Sequence, residues 1–142
     1  MGYTISNLKV GQSANFAKTI TEGDIYSFAG LTGDLNPAHI NEQYAKKTKF
    51  KGRIAHGMLS AGLISAVLGM QLPGPGTIYL SQKLQFLAPV RIGDTVTAKV
   101  QVESIDEKNY RVVLRTTCMN QEGTLLVDGE ALAIPPLKDL KI

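Results

Sequence analysis

Gly57-Met-Leu-Ser-Ala-Gly-Leu-Ile-Ser-Ala-Val-Leu-Gly-Met70, closely followed by Leu72-Pro-Gly-Pro-Gly-Thr77, is the stretch on which the reading of the fold turns. Met58, Ala61, Ser65 and Leu68 recur at spacings of three and four, as one face of a helix requires. Leu59, Leu63, Ala66, Val67 and Met70 populate its other faces, so the segment reads as a helix apolar nearly all round and buried on most sides. Two Pro-Gly pairs then stop it. Beyond them the period changes to two, with apolar residues alternating from Leu80 to Phe86 as in a half-buried strand.

Downstream of this junction, three more strand-like runs lie around Thr95–Ser104, Tyr110–Met119 and Thr124–Ile134. Asp-Glu-Lys-Asn (106–109) and Asn-Gln-Glu-Gly (120–123) supply turns between them, and Pro89 with Gly93-Asp94 separates the first pair. Upstream, Ser13–Ile20 reads as one more strand. Thr21 is placed to cap a short helix carrying Ile25, Tyr26, Phe28, Ala29 and Leu31, which Gly33 ends, and Asn41 to cap another running through Tyr44 and Lys47. The order is one long helix followed by a meander of four strands, with an earlier strand free to join. A sheet must cover its apolar face, and the helix lying across it does so. The expectation is an α+β fold, one long buried helix wrapped by an antiparallel five-stranded sheet, forming a single domain over residues 1–142.

The 142 residues are 44% hydrophobic and 19% charged, enough apolar material for a core and too much for a disordered chain. A formal charge of +3, without basic residues interleaved with aromatics, argues against nucleic acid as a partner. Cys118 is the one cysteine, so no internal disulfide forms, and its strand context reads as a small packed side chain rather than a nucleophile. The apolar stretch 58–72 is interrupted by Ser60, Gly62, Ser65, Gly69 and Gln71 and is too short to span a bilayer. The first residues carry no basic-then-apolar signal. A soluble cytoplasmic protein without membrane contact is the expectation.

The two histidines, His39 and His56, both precede the long helix. The segment Gly33-Asp34-Leu35-Asn36-Pro37-Ala38-His39 has a turn at Asn36-Pro37 that can fold Asp34 and His39 toward one point. A carboxylate and an imidazole converging on a water make an acid–base pair. On spacing alone, the favoured reading is an Asp34 that caps the turn and a His39 that is a surface or half-buried spacer. In Arg53-Ile54-Ala55-His56-Gly57-Met58-Leu59, Gly57 opens the helix, and its N–H stands at the positive end, suited to a developing oxyanion; a simple strand-to-helix turn fits the segment at least as well. His56 reads as a packing and hydrogen-bonding residue. Lys46, Lys47, Lys49, Lys51 and Arg53 form a basic run that reads chiefly as a solvated face. No metal-ligand spacing, phosphate loop or nucleophile elbow is present in the sequence.

Taken together, Gly33-Asp-Leu-Asn-Pro-Ala-His39 followed by His56-Gly-Met-Leu59 resembles the MaoC-like dehydratases, in particular the (R)-specific enoyl-CoA hydratases of the hotdog fold. Leu72-Pro-Gly-Pro-Gly-Thr-Ile-Tyr-Leu80 and Phe86-Leu-Ala-Pro-Val-Arg-Ile-Gly-Asp94 are similar to that group as well, so the likeness covers almost the whole chain. The resemblance implies Asp34 and His39 as the catalytic dyad on a bound water and Gly57 as the oxyanion donor. It implies trans-2-enoyl-CoA as substrate, (R)-3-hydroxyacyl-CoA as product, and neither cofactor nor metal. It also implies homodimers whose sheets join edge to edge, with the cleft along the subunit boundary. Ser65 and Leu68 on the long helix and Leu132 on the last strand match acyl-pocket positions, and Leu132 favours short acyl chains.

The rival readings are three. A hotdog thioesterase needs a carboxylate along the long helix, and residues 58–70 contain none. A 3-hydroxyacyl dehydratase acting on acyl carrier protein would use the basic run to meet an acidic carrier. A non-catalytic acyl-CoA-binding regulatory module has no need of both Asp34 and His39.

Overall fold

In the computed structural model, which describes residues 2–137, the first strand, β1 (Ser13–Thr19), leads into a reciprocal cap. The Thr21 hydroxyl accepts from the Asp24 N–H while the Asp24 carboxylate accepts from the Thr21 N–H, which starts α1 (Glu22–Thr32). Gly33, with φ of 78°, ends it in the left-handed conformation. Two single-turn helices follow, α2 (Pro37–Ile40) and α3 (Glu42–Ala45). Asn36 and Asn41 cap them, accepting from the N–H groups of Ala38 and Tyr44. The turn expected at Asn36-Pro37 is thus the start of a helix, because Pro37 occupies the first position, where no N–H is required. The long helix is α4 (Gly57–Met70), and the remaining strands are β2 (Ile78–Phe86), β3 (Thr95–Asp106), β4 (Arg111–Met119) and β5 (Leu125–Ile134).

The five strands form one antiparallel sheet in the order β1-β3-β4-β5-β2. Three of the four downstream strands are a meander, as expected. β2 departs from it, lying beyond β5 while β1 takes the place beside β3. The connection between β2 and β3 explains this, since its backbone groups are committed elsewhere. Leu87 N–H bonds Leu126 O, Ala55 N–H bonds Val90 O, Ile54 bridges Arg91, and Gly93 and Asp94 exchange bonds with Ile20. Pro89 has no N–H to extend β2.

The inward side chains alternate along the strands: Val96, Ala98, Val100 and Val102 on β3, Val112, Leu114 and Cys118 on β4, Ala131 and Ala133 on β5. They meet Leu59, Leu63, Ile64, Val67 and Leu68 of α4, each large one of which stabilises the fold by roughly 1.5–3 kcal/mol through burial. Within this chain α4 is buried on one side, not on most sides as its composition suggested. Met58 and Met70 on its other side are 56% and 72% exposed. One helix on one sheet has a single face to bury; the rest needs another body. At the far edge, Gly129 of β5 passes so close to β2 that a Cβ there would stand 2.0 Å from the Lys83 carbonyl oxygen.

Candidate active site

Asp34 leaves α1 just past its glycine cap, and its Oδ1 accepts from the Asn36 N–H at 3.2 Å, which folds the chain into α2. His39 sits on α2, half-buried, with its Nδ1 2.8 Å from the carbonyl oxygen of Ile54. A carbonyl only accepts, so Nδ1 carries the proton and Nε2 is the nitrogen left for chemistry. His56, which precedes the first residue of α4 without a side-chain bond to it, is 2% exposed. Its Nε2–H donates to the backbone carbonyl of Asp34 at 2.9 Å, and its Nδ1 is buried without a partner among the described residues. Its ring lies between those of Phe28 and His39, with centroids 4.7 and 3.9 Å away.

One side-chain ligand atom from each of Asp34, His39 and His56 falls within 4.8 Å of the others. The spacing in the chain conceals this set, because twenty-two residues separate Asp34 from His56 and a tertiary hydrogen bond joins them. Such a set is chemically able to hold a divalent ion, although one nitrogen of each ring is already committed to a backbone carbonyl.

Gly57 begins α4, so its N–H is among the first-turn donors that find no partner inside a helix. A cavity of about 470 Å³ lies in front of it, lined by His39, Lys49, Gly57, Met58, Ser60 and Phe86 among others. The glycine lets α4 and Phe86 meet closely, since a Cβ would stand 2.7 Å from the Phe86 ring and would displace it. The sequence placed Phe86 in a strand pattern and at the start of the family-like stretch 86–94, but gave it no place at the cavity.

His39 and Gly57 thus line one cavity, and Asp34 stands beside His39. The three acyl-pocket residues lie elsewhere. Ser65 lines an apolar groove of about 510 Å³ between α4 and β2, with Phe28, Tyr79 and Gln82. Leu68 is 1% exposed inside the core. Leu132 pairs with Val113 on the sheet face opposite α4, because its neighbours Ala131 and Ala133 are the ones turned inward. Leu68 follows Ser65 by three positions, yet the helix turns enough between them to put one at the groove and the other in the core. Of the basic run, Lys49 reaches the cavity in front of Gly57 and Arg53 turns inward to carboxylates. Burial pushes the Cys118 thiol up to about 12, which keeps it protonated and unreactive at neutral pH.

A helix laid on a five-stranded antiparallel sheet, with a carboxylate and two imidazoles gathered near the helix start, defines a hotdog-fold domain. A model of the MaoC like domain matches residues 6–122, and the chain belongs to that family. It is 59% identical over 132 residues to the (R)-specific enoyl-CoA hydratase of Rhodospirillum rubrum, covering 93% of this chain and 91% of that one. It is 49% identical to the 3-hydroxybutyryl-CoA dehydratase of Methylorubrum extorquens, over 94% of this chain and 84% of that one. Among solved structures, the unliganded R-hydratase of Pseudomonas aeruginosa superposes with a TM-score of 0.91 at 45% identity, covering 96% of this chain and 88% of that one.

Proposed function

We propose that the protein is an (R)-specific enoyl-CoA hydratase, equally a 3-hydroxyacyl-CoA dehydratase, that adds water across the double bond of short trans-2-enoyl-CoA thioesters. The observation that carries this reading is a cavity lined by His39 and the Gly57 end of α4, with a ligand atom of the Asp34 carboxylate within 4.8 Å of one on the His39 ring, whose Nε2 is left unprotonated. A water held between Asp34 and His39 loses a proton to the pair as its oxygen attacks C3. The electron pair of the double bond passes through C2 onto the thioester oxygen, which the Gly57 N–H and the positive end of α4 stabilise. The enolate then collapses and C2 takes up a proton, so one water is added and none is left over. The chemistry asks for no cofactor and no metal.

The acyl end extends from the cavity toward the groove at Ser65, because Met58 and Phe86 wall both spaces. The second body that α4 and β2 call for is another copy of the chain. β2 is a nine-residue edge strand that exposes Ile78, Leu80 and Phe86 beside the exposed side of α4, and Lys83 is its only charge. Such an edge invites strand pairing, here with its own two-fold mate. A cytoplasmic setting belongs to the same reading, where a lone thiol stays reduced.

The test is hydration of crotonyl-CoA, followed by loss of the enoyl thioester absorbance, for the wild type, Asp34→Asn and His39→Ala. Turnover by the wild type with either substitution costing at least ~100-fold is expected of acid–base catalysis. A flat wild-type trace with crotonyl-CoA and longer enoyl-CoA substrates rules the reading out.

A further inference from the structure

Of the five basic residues between 46 and 53, Arg53 is the one whose side chain turns inward, with 12% of it accessible. Its guanidinium grips two helices. Nη2–H donates to Glu22 Oε1 at 2.5 Å and Nη1–H to the Tyr26 hydroxyl at 3.0 Å, both on α1. Nε–H donates to Glu42 Oε2 on α3 at 3.3 Å, and the Arg53 backbone N–H reaches the same oxygen at 3.3 Å. The Tyr26 hydroxyl in turn donates to Glu22 Oε1 at 3.2 Å. Only a planar fork of several donors serves three acceptors on two helices; a lysine ammonium is a single point. Bonding to Arg53, then its charge, holds the Glu22 carboxyl below the usual carboxylate range.

The reaction centre hangs from this clamp. α1, held at Glu22 and Tyr26, ends at Gly33 and hands on Asp34. α3, held at Glu42, follows directly from α2, which carries His39. The next residue after Arg53 is Ile54, whose N–H bonds Ala38 O at 3.3 Å and whose carbonyl takes the His39 Nδ1–H. Two residues further along, His56 holds the Asp34 carbonyl.

We infer that Arg53 is a positioning residue of the proposed reaction: it touches no substrate, but fixes where Asp34 and His39 stand and which His39 nitrogen is free, and so governs kcat rather than substrate affinity. The inference rests on the hydratase reading, and it differs from a purely structural role in what it moves. Partly exposed ion pairs contribute little to stability, whereas a shift of about 1 Å in a catalytic group costs up to ~100-fold in rate.

The test compares Arg53→Gln, Arg53→Lys, Glu42→Ala and, as control, the exposed Lys47→Gln. Crotonyl-CoA hydration is measured well below each variant's melting temperature, and ¹⁵N–¹H spectra of the imidazoles report the His39 tautomer. Arg53→Gln is expected to lower kcat by between ~10- and ~100-fold with KM within about 2-fold, and to convert His39 from the Nδ1–H form to a mixture. Arg53→Lys restores only part of the rate, and Lys47→Gln behaves as wild type. Wild-type kcat and an unchanged His39 spectrum in Arg53→Gln overturn the inference. Should that variant not fold, Glu42→Ala decides, since it removes two of the Arg53 bonds; an unaltered rate and spectrum there overturn it equally. A wild type without hydratase activity defeats the functional reading instead, and the tautomer spectrum still reports whether Arg53 fixes His39.

Discussion

Gly57 and Phe86 meet across the mouth of the cavity, and no short-range pattern announces the pair. A Cβ at position 57 would press on two ring atoms of Phe86, at 2.7 and 2.8 Å. The ring is about half exposed, so it can swing aside, and the fold should tolerate Gly57→Ala. Because alanine keeps the backbone N–H, any loss of rate traces to the displaced ring and the reshaped mouth. Gly57→Ala is therefore expected to melt close to wild type while kcat/KM for crotonyl-CoA falls by ~10-fold or more. Adding Phe86→Leu should recover part of that loss, and full activity of the single variant would refute the steric account. Asp34 and His39 are a different case. Their residue types and the Asn-Pro between them suggested a turn that could aim both at one point, but spacing left the catalytic and the packing readings open. Only the Ile54 carbonyl, fifteen residues on, settles which imidazole nitrogen faces the cavity.

At the scale of single elements, the signals that work within one turn were legible. Thr21 and Gly33 bound α1, Asn41 caps α3, and Gly57 opens α4, because a cap needs only residues three or four positions apart. The α1 cap makes a pH-dependent prediction. The Lys18 ammonium, 2.8 Å from Asp24 Oδ2, and then the Thr21 N–H hold the Asp24 carboxyl below its ordinary value. A folded-state value below the unfolded one, about 3.9, means that the stabilisation is present above that pH and is lost as pH falls through the folded value. Both partners are partly exposed, so the effect is modest. Asp24→Asn is expected to lose ~0.5–1 kcal/mol near neutral pH and to approach wild type as pH falls through the folded-state value, as read by urea unfolding from neutral to acid pH. A difference that stays constant down to low pH would mean the ion pair and cap charge are not its cause.

For the whole molecule, the decisive feature is the apolar surface that one chain leaves uncovered on α4 and β2. If a second copy covers it, the 15.3 kDa chain sediments at twice that mass. Leu80→Asp, on the open edge strand, should then give a monomer with its far-UV spectrum retained and its hydratase activity reduced. A wild type that sediments as a monomer at micromolar concentration would exclude the pairing.

The long helix, the switch of period after the Pro-Gly pairs and the strand runs followed from the chain alone, because periodicity and punctuation act over a few residues. Tertiary structure alone decided that β2 crosses to the far side of β5, that Leu132 faces away from α4, that Arg53 binds carboxylates on two helices, and that His56 holds Asp34. Each of these joins residues far apart in sequence. A strand's neighbour and the side to which its side chains point are set by the pairing register and by what the connections leave free, and neither is written in any local stretch.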